Sequence, residues 1–165
     1  EMNTRIQVEH TVTEMATNLD LVKEQIRTVA GEKLSFCLSE GRLRGHTIEC
    51  RVNAEDPQRD FQPCPGTVTV YHPPGGPGVR VDTHIYQGCT IPPYYDSLMA
   101  KVIVHGLNRE EALARMTQAL DSFIVEGVTT TIPFLLAVIG HPDFEAGAVD
   151  TKFLERNKDL LPDTG

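Results

Sequence analysis

The chain has 165 residues, of which 40% are hydrophobic and 23% are charged, a composition typical of one globular domain with a smaller appendage. Its net charge of −8 argues against nucleic-acid binding through a basic surface, and no apolar run is long enough for a membrane span. The four cysteines, Cys37, Cys50, Cys64 and Cys89, show no Cys-x-x-Cys spacing. With no signal peptide visible, we expect reduced structural thiols in a cytoplasmic protein.

The first ten residues, EMNTRIQVEH, alternate between two kinds of side chain. Successive side chains of a strand point to opposite faces, so this pattern predicts a strand over residues 1–10. One face would carry Met2, Thr4, Ile6 and Val8, and the other would carry Glu1, Asn3, Arg5, Gln7 and Glu9. Because the chain starts inside the pattern without an initiator methionine, we expect it to be a segment of a longer polypeptide.

The polar side of this predicted strand allows two interpretations. A strand with one polar face is most often a half-exposed strand of an antiparallel sheet. However, carboxylate and amide oxygens suit Mg²⁺, which makes Glu1 and Asn3 candidate metal ligands. Arg5 presents a planar fork to an oxyanion, and Glu9 offers a general base. An anion beside Arg5 and a base at Glu9 suit the deprotonation of an oxygen acid such as bicarbonate.

Further patterns predict the elements of the middle of the chain. A helix runs from Asn18 or Asp20 to Ala30, and residues 32–44 form a connector. The stretch GHTIECRVNAEDP alternates again and predicts a strand that ends before Pro57. Other strands are predicted over residues 67–71, 79–82 and 98–105, with the loops HPPGGPG and IPPYYD between them.

Helical signals dominate the last third of the chain. Asn108 and Glu111 form a capping box at the start of a helix, and the stretch FIVEGV after it predicts a short strand. Thr131 starts a further helix, Thr151 caps a last short one, and the tail LPDTG is expected to be loose. This order of elements predicts an α+β fold with a mostly antiparallel sheet.

The stretch EMNTRIQVEHTVTE resembles the signature of biotin carboxylases near the end of their ATP-grasp region. Later stretches agree in the same order: GHTIECRVNAEDP, PGTVTVYHPPGGPGVRVDTHIYQG, PPYYDSLMAKVIVHG, NREEALARM and GVTTTIPFL. The resemblance implies that residues 1–44 are the C-terminal segment of an ATP-grasp domain. Residues 45–155 are then a biotin carboxylase C-terminal domain, with a mostly antiparallel sheet and flanking helices, and residues 156–165 are a tail.

The resemblance also implies a reaction. ATP and bicarbonate form carboxyphosphate, and the carboxyl group passes to N1′ of biotin. The residues that match the metal positions for Mg²⁺ or Mn²⁺ are Glu1 and Asn3. The residues that match the bicarbonate contacts are Arg5, Gln7, the backbone of Val8, and Glu9, which is the base.

Arg51, in the stretch ECRVN, matches the arginine that steadies the biotin enolate and the phosphate in this family. From the pattern alone it is a surface residue or an ion-pair partner of Glu49 or Glu55. Tyr95 and Asp96 lie in the stretch PPYYD, a loop framed by glycine and proline, where they are candidates to border the biotin pocket. They are equally well explained as buried anchors of that loop.

Several partners follow from the resemblance. The nucleotide-binding lid and lysines of the family are not in this chain, so an N-terminal ATP-grasp lobe is needed and the chain alone should be inactive. Biotin arrives on a separate carrier protein or domain, because no Met-Lys dipeptide is present, and a carboxyltransferase uses the product. The resemblance leaves open which molecule accepts the carboxyl group from biotin. It is acetyl-CoA, as in fatty acid biosynthesis, or else propionyl-CoA, pyruvate or another acceptor.

Pairing into a homo-oligomer is a further implication, and it has one departure from the family. Pro77 stands where some bacterial members carry an aromatic residue in a dimer contact, near the position of Arg80.

Two rival functions stay open at this point. One is an interaction module for subunit or carrier contacts, and the other is part of a different ATP-grasp ligase, such as a carbamoyl phosphate synthetase.

Overall fold

The computed structural model describes residues 2–36 and 43–160. Its helices are α1 (His10–Thr17), α2 (Leu21–Val29), α3 (Arg109–Asp121), α4 (Ile132–Ile139), α5 (Pro142–Glu145) and α6 (Phe153–Arg156), with 3₁₀ turns at Pro57–Arg59 and Lys158–Leu160. Its strands are β1 (His46–Asn53), β2 (Glu55–Asp56), β3 (Gln62–Pro63), β4 (Gly66–Thr67), β5 (Val70–His72), β6 (Val79–Thr83), β7 (Thr90–Ile91), β8 (Leu98–Gly106) and β9 (Ile124–Glu126). In this described part, no helix is long and apolar enough to cross a membrane.

A three-stranded antiparallel sheet in the order β1-β8-β6 is the centre of the fold. Its register places Arg51 of β1 opposite Lys101 of β8, which is itself opposite Asp82 of β6. Because alternate residues of a strand share a face, these three side chains form a charged row across one side of the sheet. The neighbouring residues, such as Val52 and its partner Ala100, lie on the other side.

The apolar side of the sheet forms the main core with α3 and α4. Val52, Val102 and Val104 pack there in one cluster with Met116 and Leu120 of α3, and each of these side chains is at most 1% exposed. Burial of side chains of this size contributes about 1.5–3 kcal/mol each. The sheet is therefore anchored by one face, which leaves the other face available for charged residues.

Helix α1 covers the charged side of the sheet. Thr11 of α1 is fully buried and donates a hydrogen bond to Glu49 of β1. One turn later, Glu14 accepts a hydrogen bond from Arg80 of β6, with 2.7 Å between Oε2 and Nη1. The segment that precedes α1 is held at the edge of this polar layer by Lys101, whose Nζ donates to the carbonyl oxygen of Val8 at 3.2 Å.

Shorter ribbons extend the fold beyond the main sheet. They pair β2 with β3, β4 with β7 and β5 with β9, all antiparallel. The predicted strand over residues 67–71 is split, because the N–H of Val68 donates to Cys89 while that of Thr69 donates to Glu126. The backbone thus changes its partner between two consecutive residues.

Most of the predicted elements downstream of residue 20 are confirmed. Asp20 caps α2 by accepting a hydrogen bond from the N–H of Lys23, and Asn108 caps α3 in the same way through Glu111. Thr151 is not the cap of the last helix, because Lys152 is the residue that precedes α6 and no side chain caps this helix. The predicted loose tail, residues 161–165, and Cys37 lie outside the described residues.

The strand predicted over residues 1–10 is wrong. Residues 2–9 form no strand, with a bend at Arg5 and a turn at Val8 and Glu9, and α1 begins at His10. Met2 is 87% exposed and Ile6 is 37% exposed, so these two residues form no buried apolar face. Alternation fits any extended chain, but a strand also needs a pairing partner, and no described strand pairs with this segment.

Candidate active site

Glu9 and Arg51 meet at the edge of the charged side of the sheet. Arg51 Nη2 donates to Glu9 Oε2 at 2.8 Å, although the two residues are 42 positions apart. Both side chains remain about half exposed, at 51% and 50%. Glu9 is the residue before α1, and Arg51 projects from the polar side of β1. The pair is thus accessible to a small substrate while its two members stay on ordered elements.

Glu49 places a second carboxylate next to Arg51. Its side chain is only 5% exposed, its Oε1 lies 3.9 Å from Arg51 Nε, and its Oε2 accepts from buried Thr11. The guanidinium of Arg51 therefore lies between an exposed and a buried carboxylate. These two contacts restrict the orientation of the guanidinium, and neither of them fully neutralises its charge.

A second group of charges lies beside the first on the same face. Arg80 binds Asp82 through two hydrogen bonds of 2.7 and 2.8 Å and also binds Glu14 of α1. Lys101 Nζ is 3.5 Å from Asp82 and donates to the carbonyl of Val8 at 3.2 Å. Burial raises the pKa of Asp82, but the hydrogen bonds and charges of Arg80 and Lys101 outweigh it, and the net pKa is lowered. The hydrogen bonds and charges of Asp82 and Glu14 raise the pKa of Arg80.

The other predicted residues of the opening segment lie on the surface. Asn3, Arg5 and Gln7 are exposed, and the Arg5 side chain donates to the neighbouring carbonyl of Ile6 at 3.3 Å. Because residues 2–9 do not form a strand, the predicted convergence of alternate side chains on one face does not hold. Only Glu9 of the predicted polar set contacts Arg51 among the described residues.

A metal site built from this chain alone is not supported by the described residues. Glu1 lies outside them, Asn3 is exposed, and no group of three His, Cys, Asp or Glu residues is positioned to hold an ion within residues 2–36 and 43–160. Mg²⁺ prefers about six oxygen ligands, several of them water or substrate phosphate. Asn3 fits a role as one ligand among others, with the remaining oxygens supplied from elsewhere.

Tyr95 and Asp96 lie in a different depression from Arg51. They border a cavity of about 570 Å³ with other residues of the loops around β7, and Arg51 is not in its lining. The Tyr95 side chain is 82% exposed, and Asp96 Oδ1 accepts from the N–H of Leu98 at 2.7 Å. Asp96 thus anchors its loop, but neither residue is buried, as an anchor of the predicted kind would be, and Tyr95 stays available for contact.

Sequence reasoning missed Arg80, Asp82 and Lys101, the charged residues that lie beside the pair of Glu9 and Arg51 on the same face of the sheet. Lys101 stands inside LMAKVIVHG, an otherwise apolar stretch, and its side chain is 12% exposed. A lone lysine in a buried strand is the signal that could have been used, since lysine is rarely buried without a partner. Arg80 and Asp82 carry a similar signal, because they alternate with Val79 and Val81.

Comparison with known families defines the class of this chain. The family described as biotin carboxylase C-terminal domain matches residues 49–156. The family described as carbamoyl-phosphate synthase L chain, ATP binding domain, matches residues 1–37. The chain belongs to the biotin carboxylase C-terminal domain family, which confirms both the resemblance seen in the sequence and the predicted α+β fold.

Similar proteins carry the same assignment. Biotin carboxylase 1 of Bacillus subtilis is 56% identical over 155 residues, which is 94% of this chain and 34% of the relative. The biotin carboxylase of a Nostoc species is 54% identical over 159 residues, which is 96% of this chain and 36% of the relative. The chain therefore spans about a third of the length of these curated relatives.

A solved structure extends the comparison to the fold. The biotin carboxylase domain dimer of Hydrogenobacter thermophilus 2-oxoglutarate carboxylase, in complex with MgADP, ADP and bicarbonate, superposes with a TM-score of 0.96. It is 47% identical, and the match covers 100% of this chain and 36% of that one.

Proposed function

We propose that this chain supplies the bicarbonate side of a biotin carboxylase active site, with Glu9 and Arg51 at its centre. The observation that carries the proposal is the 2.8 Å contact between Glu9 and Arg51, two residues that the family resemblance independently assigns to the reaction. The bicarbonate in the complex of the Hydrogenobacter relative supports the choice of substrate.

The proposed roles follow from the chemistry of each group. Glu9 accepts the proton of bicarbonate as general base. Arg5 pairs with the resulting oxyanion, and Gln7 and the backbone N–H of Val8 donate hydrogen bonds to it. Arg5 and Gln7 are exposed, so they are free to turn toward a bound anion. Arg51 moves from Glu9 toward negative charge that develops on the phosphate and on the biotin ureido oxygen.

ATP supplies the leaving phosphate that makes bicarbonate reactive, and Mg²⁺ or Mn²⁺ neutralises charge on the phosphates. Asn3, together with Glu1, is the proposed contribution of this chain to the metal. Tyr95 and Asp96 border the proposed path of biotin from the separate depression that they line. For biotin on its carrier, their loop supplies an aromatic surface and a fixed carboxylate.

The proposal extends to the organisation and the partners of the whole protein. Residues 1–44 complete an ATP-grasp lobe, residues 45–155 form the C-terminal domain, and residues 156–165 are a tail. The partners are the N-terminal ATP-grasp lobe, a biotin carboxyl carrier protein or domain, a carboxyltransferase, and a second copy in a homo-oligomer. We place the protein in the cytoplasm, where Cys50, Cys64 and Cys89 stay as free thiols.

The test uses a full-length biotin carboxylase that carries this segment. We expect Glu9→Gln and Arg51→Ala each to lower kcat for bicarbonate-dependent ATP hydrolysis by at least about 100-fold, because each removes a group that acts in the reaction. Both residues are half exposed, so the melting temperature should stay close to that of the wild type. Glu155→Gln and Arg59→Ala, at exposed positions, are the matched controls.

Wild-type turnover of Glu9→Gln or Arg51→Ala would contradict the proposal and would favour the interaction module instead. In that case the same variants should be assayed for binding of the biotin carrier protein by calorimetry. A loss of carrier affinity with normal ATP hydrolysis would identify the segment as a docking surface.

A further inference from the structure

The backbone of Val8 is fixed on both of its sides by the side chains of His10 and Lys101. On its N-terminal side, His10 Nδ1 lies 2.8 Å from the carbonyl oxygen of Gln7, which also accepts from the N–H of His10 at 3.2 Å. A carbonyl oxygen only accepts, so Nδ1 carries the hydrogen in this contact. The peptide between Gln7 and Val8 is therefore held by two donors of one residue.

The direction of the Val8 N–H follows from this contact. The peptide is trans, and a trans peptide is planar, with its N–H opposite to its C=O. When His10 holds the carbonyl of Gln7, the N–H of Val8 is directed away from His10. This N–H is the proposed backbone donor to bicarbonate, so His10 determines where that donor points.

On the C-terminal side of Val8, Lys101 has the corresponding role. Its Nζ donates to the carbonyl oxygen of Val8 at 3.2 Å, and this carbonyl belongs to the same planar group as the N–H of Glu9. The Lys101 side chain is 12% exposed and lies 3.5 Å from Asp82, which Arg80 fixes through two further hydrogen bonds. The ammonium group therefore has little freedom to leave the carbonyl.

We infer that His10 and Lys101 are positioning residues that hold the two peptide groups around Val8 in the orientation required to bind bicarbonate. The inference rests on the proposed function, since it concerns the same anion. Neither side chain needs to touch the substrate. Each acts through a carbonyl oxygen, and together they make residues 7–9 a rigid donor segment although no described strand pairs with it.

The experiment uses the full-length enzyme and two pairs of variants. His10→Leu and Lys101→Met remove the donor and keep much of the volume, whereas His10→Asn and Lys101→Arg retain a donor near the same place. Lys152→Met, at an exposed lysine, is the control. The KM for bicarbonate, the KM for ATP, kcat and the melting temperature are measured for each variant.

We expect His10→Leu and Lys101→Met to raise the KM for bicarbonate about tenfold and to change the KM for ATP by less than about twofold, because misplaced donors weaken only the anion they face. His10→Asn should restore most of the loss, since the amide nitrogen of Asn stands where Nδ1 stood. A residue with a merely structural role would not produce this separation of the two KM values or this rescue.

A KM for bicarbonate that stays within about twofold of the wild type in both His10→Leu and Lys101→Met would overturn the inference, as would a parallel rise of both KM values. If Lys101→Met does not fold, the comparison of His10→Leu with His10→Asn decides the matter. The proposed function fails separately, through an active Glu9→Gln enzyme. An inactive Glu9→Gln enzyme with an unchanged KM in the two positioning variants would refute the positioning role alone.

Discussion

At the scale of single residues, the contact between Glu9 and Arg51 is worth little for folding. An exposed ion pair contributes about 0–1 kcal/mol, and both of these side chains are about half exposed. The spacing of the two residues in the sequence gave no reason to pair them. Their meeting depends on the turn at Val8 and Glu9 and on the register of β1, which follow from long-range packing. Only the family resemblance suggested that both belong to one site.

Asp82 allows a prediction about pH at this scale. The pKa of Asp82 is lowered in the folded state, so its carboxylate stabilises the fold fully above the unfolded pKa of about 3.9 and loses this effect as the pH falls through the folded pKa. We expect Asp82→Asn to reduce the free energy of unfolding by about 1–3 kcal/mol at neutral pH, because charged hydrogen bonds to Arg80 are lost. Urea denaturation of both proteins at several pH values measures this difference.

The difference between Asp82→Asn and the wild type should shrink steadily as the pH falls below about 4, because the unfolded chain then takes up a proton at Asp82 while the folded carboxylate stays charged until a lower pH. Asp121→Asn, at an exposed carboxylate, should cost nothing at any pH. An Asp82→Asn penalty that is the same at neutral and at strongly acidic pH would show that the charge of Asp82 does not stabilise the fold.

At the scale of elements, the sequence predicted those helices and strands that depend mainly on neighbouring residues. Helices α2 and α3 were predicted from their caps, and β1 and β8 from alternation or apolar runs next to turns. Helix α1 was missed because its residues lie partly inside an alternating pattern and because Glu9 provides no side-chain cap. Its stability comes from buried Thr11 and Glu14, whose partners Glu49 and Arg80 lie far along the chain.

The cap of α3 is open to a direct test. Asn108 Oδ1 accepts from the N–H of Glu111 at 2.9 Å, and loss of such a cap costs about 0.5–2 kcal/mol. We expect Asn108→Ala to lower the free energy of unfolding by that amount in chemical denaturation. Thr151→Ala should have almost no effect, because Lys152 is the residue that precedes α6 and no side chain caps that helix. A larger cost for Thr151→Ala than for Asn108→Ala would reverse both assignments.

At the scale of the whole molecule, the described part of the chain presents one side of the proposed site. The charged face of the sheet, covered by α1, places Glu9 beside Arg51 at an accessible edge. Helix α2 leaves Ile26 66% exposed and Val29 89% exposed, and apolar surface of this kind marks a region where proteins make contacts. The sequence indicates the apolar residues of α2, but only the coordinates show that Ile26 and Val29 are left exposed.

The most direct test of the central claim is a double-mutant cycle in the full-length enzyme, with kcat/KM for bicarbonate measured for Glu9→Gln, Arg51→Ala and the double variant. Groups that act as one unit are strongly non-additive. The account predicts that the double variant is no more than about threefold worse than the poorer single variant. Losses that multiply in the double variant would contradict it, because Glu9 and Arg51 would then contribute independently.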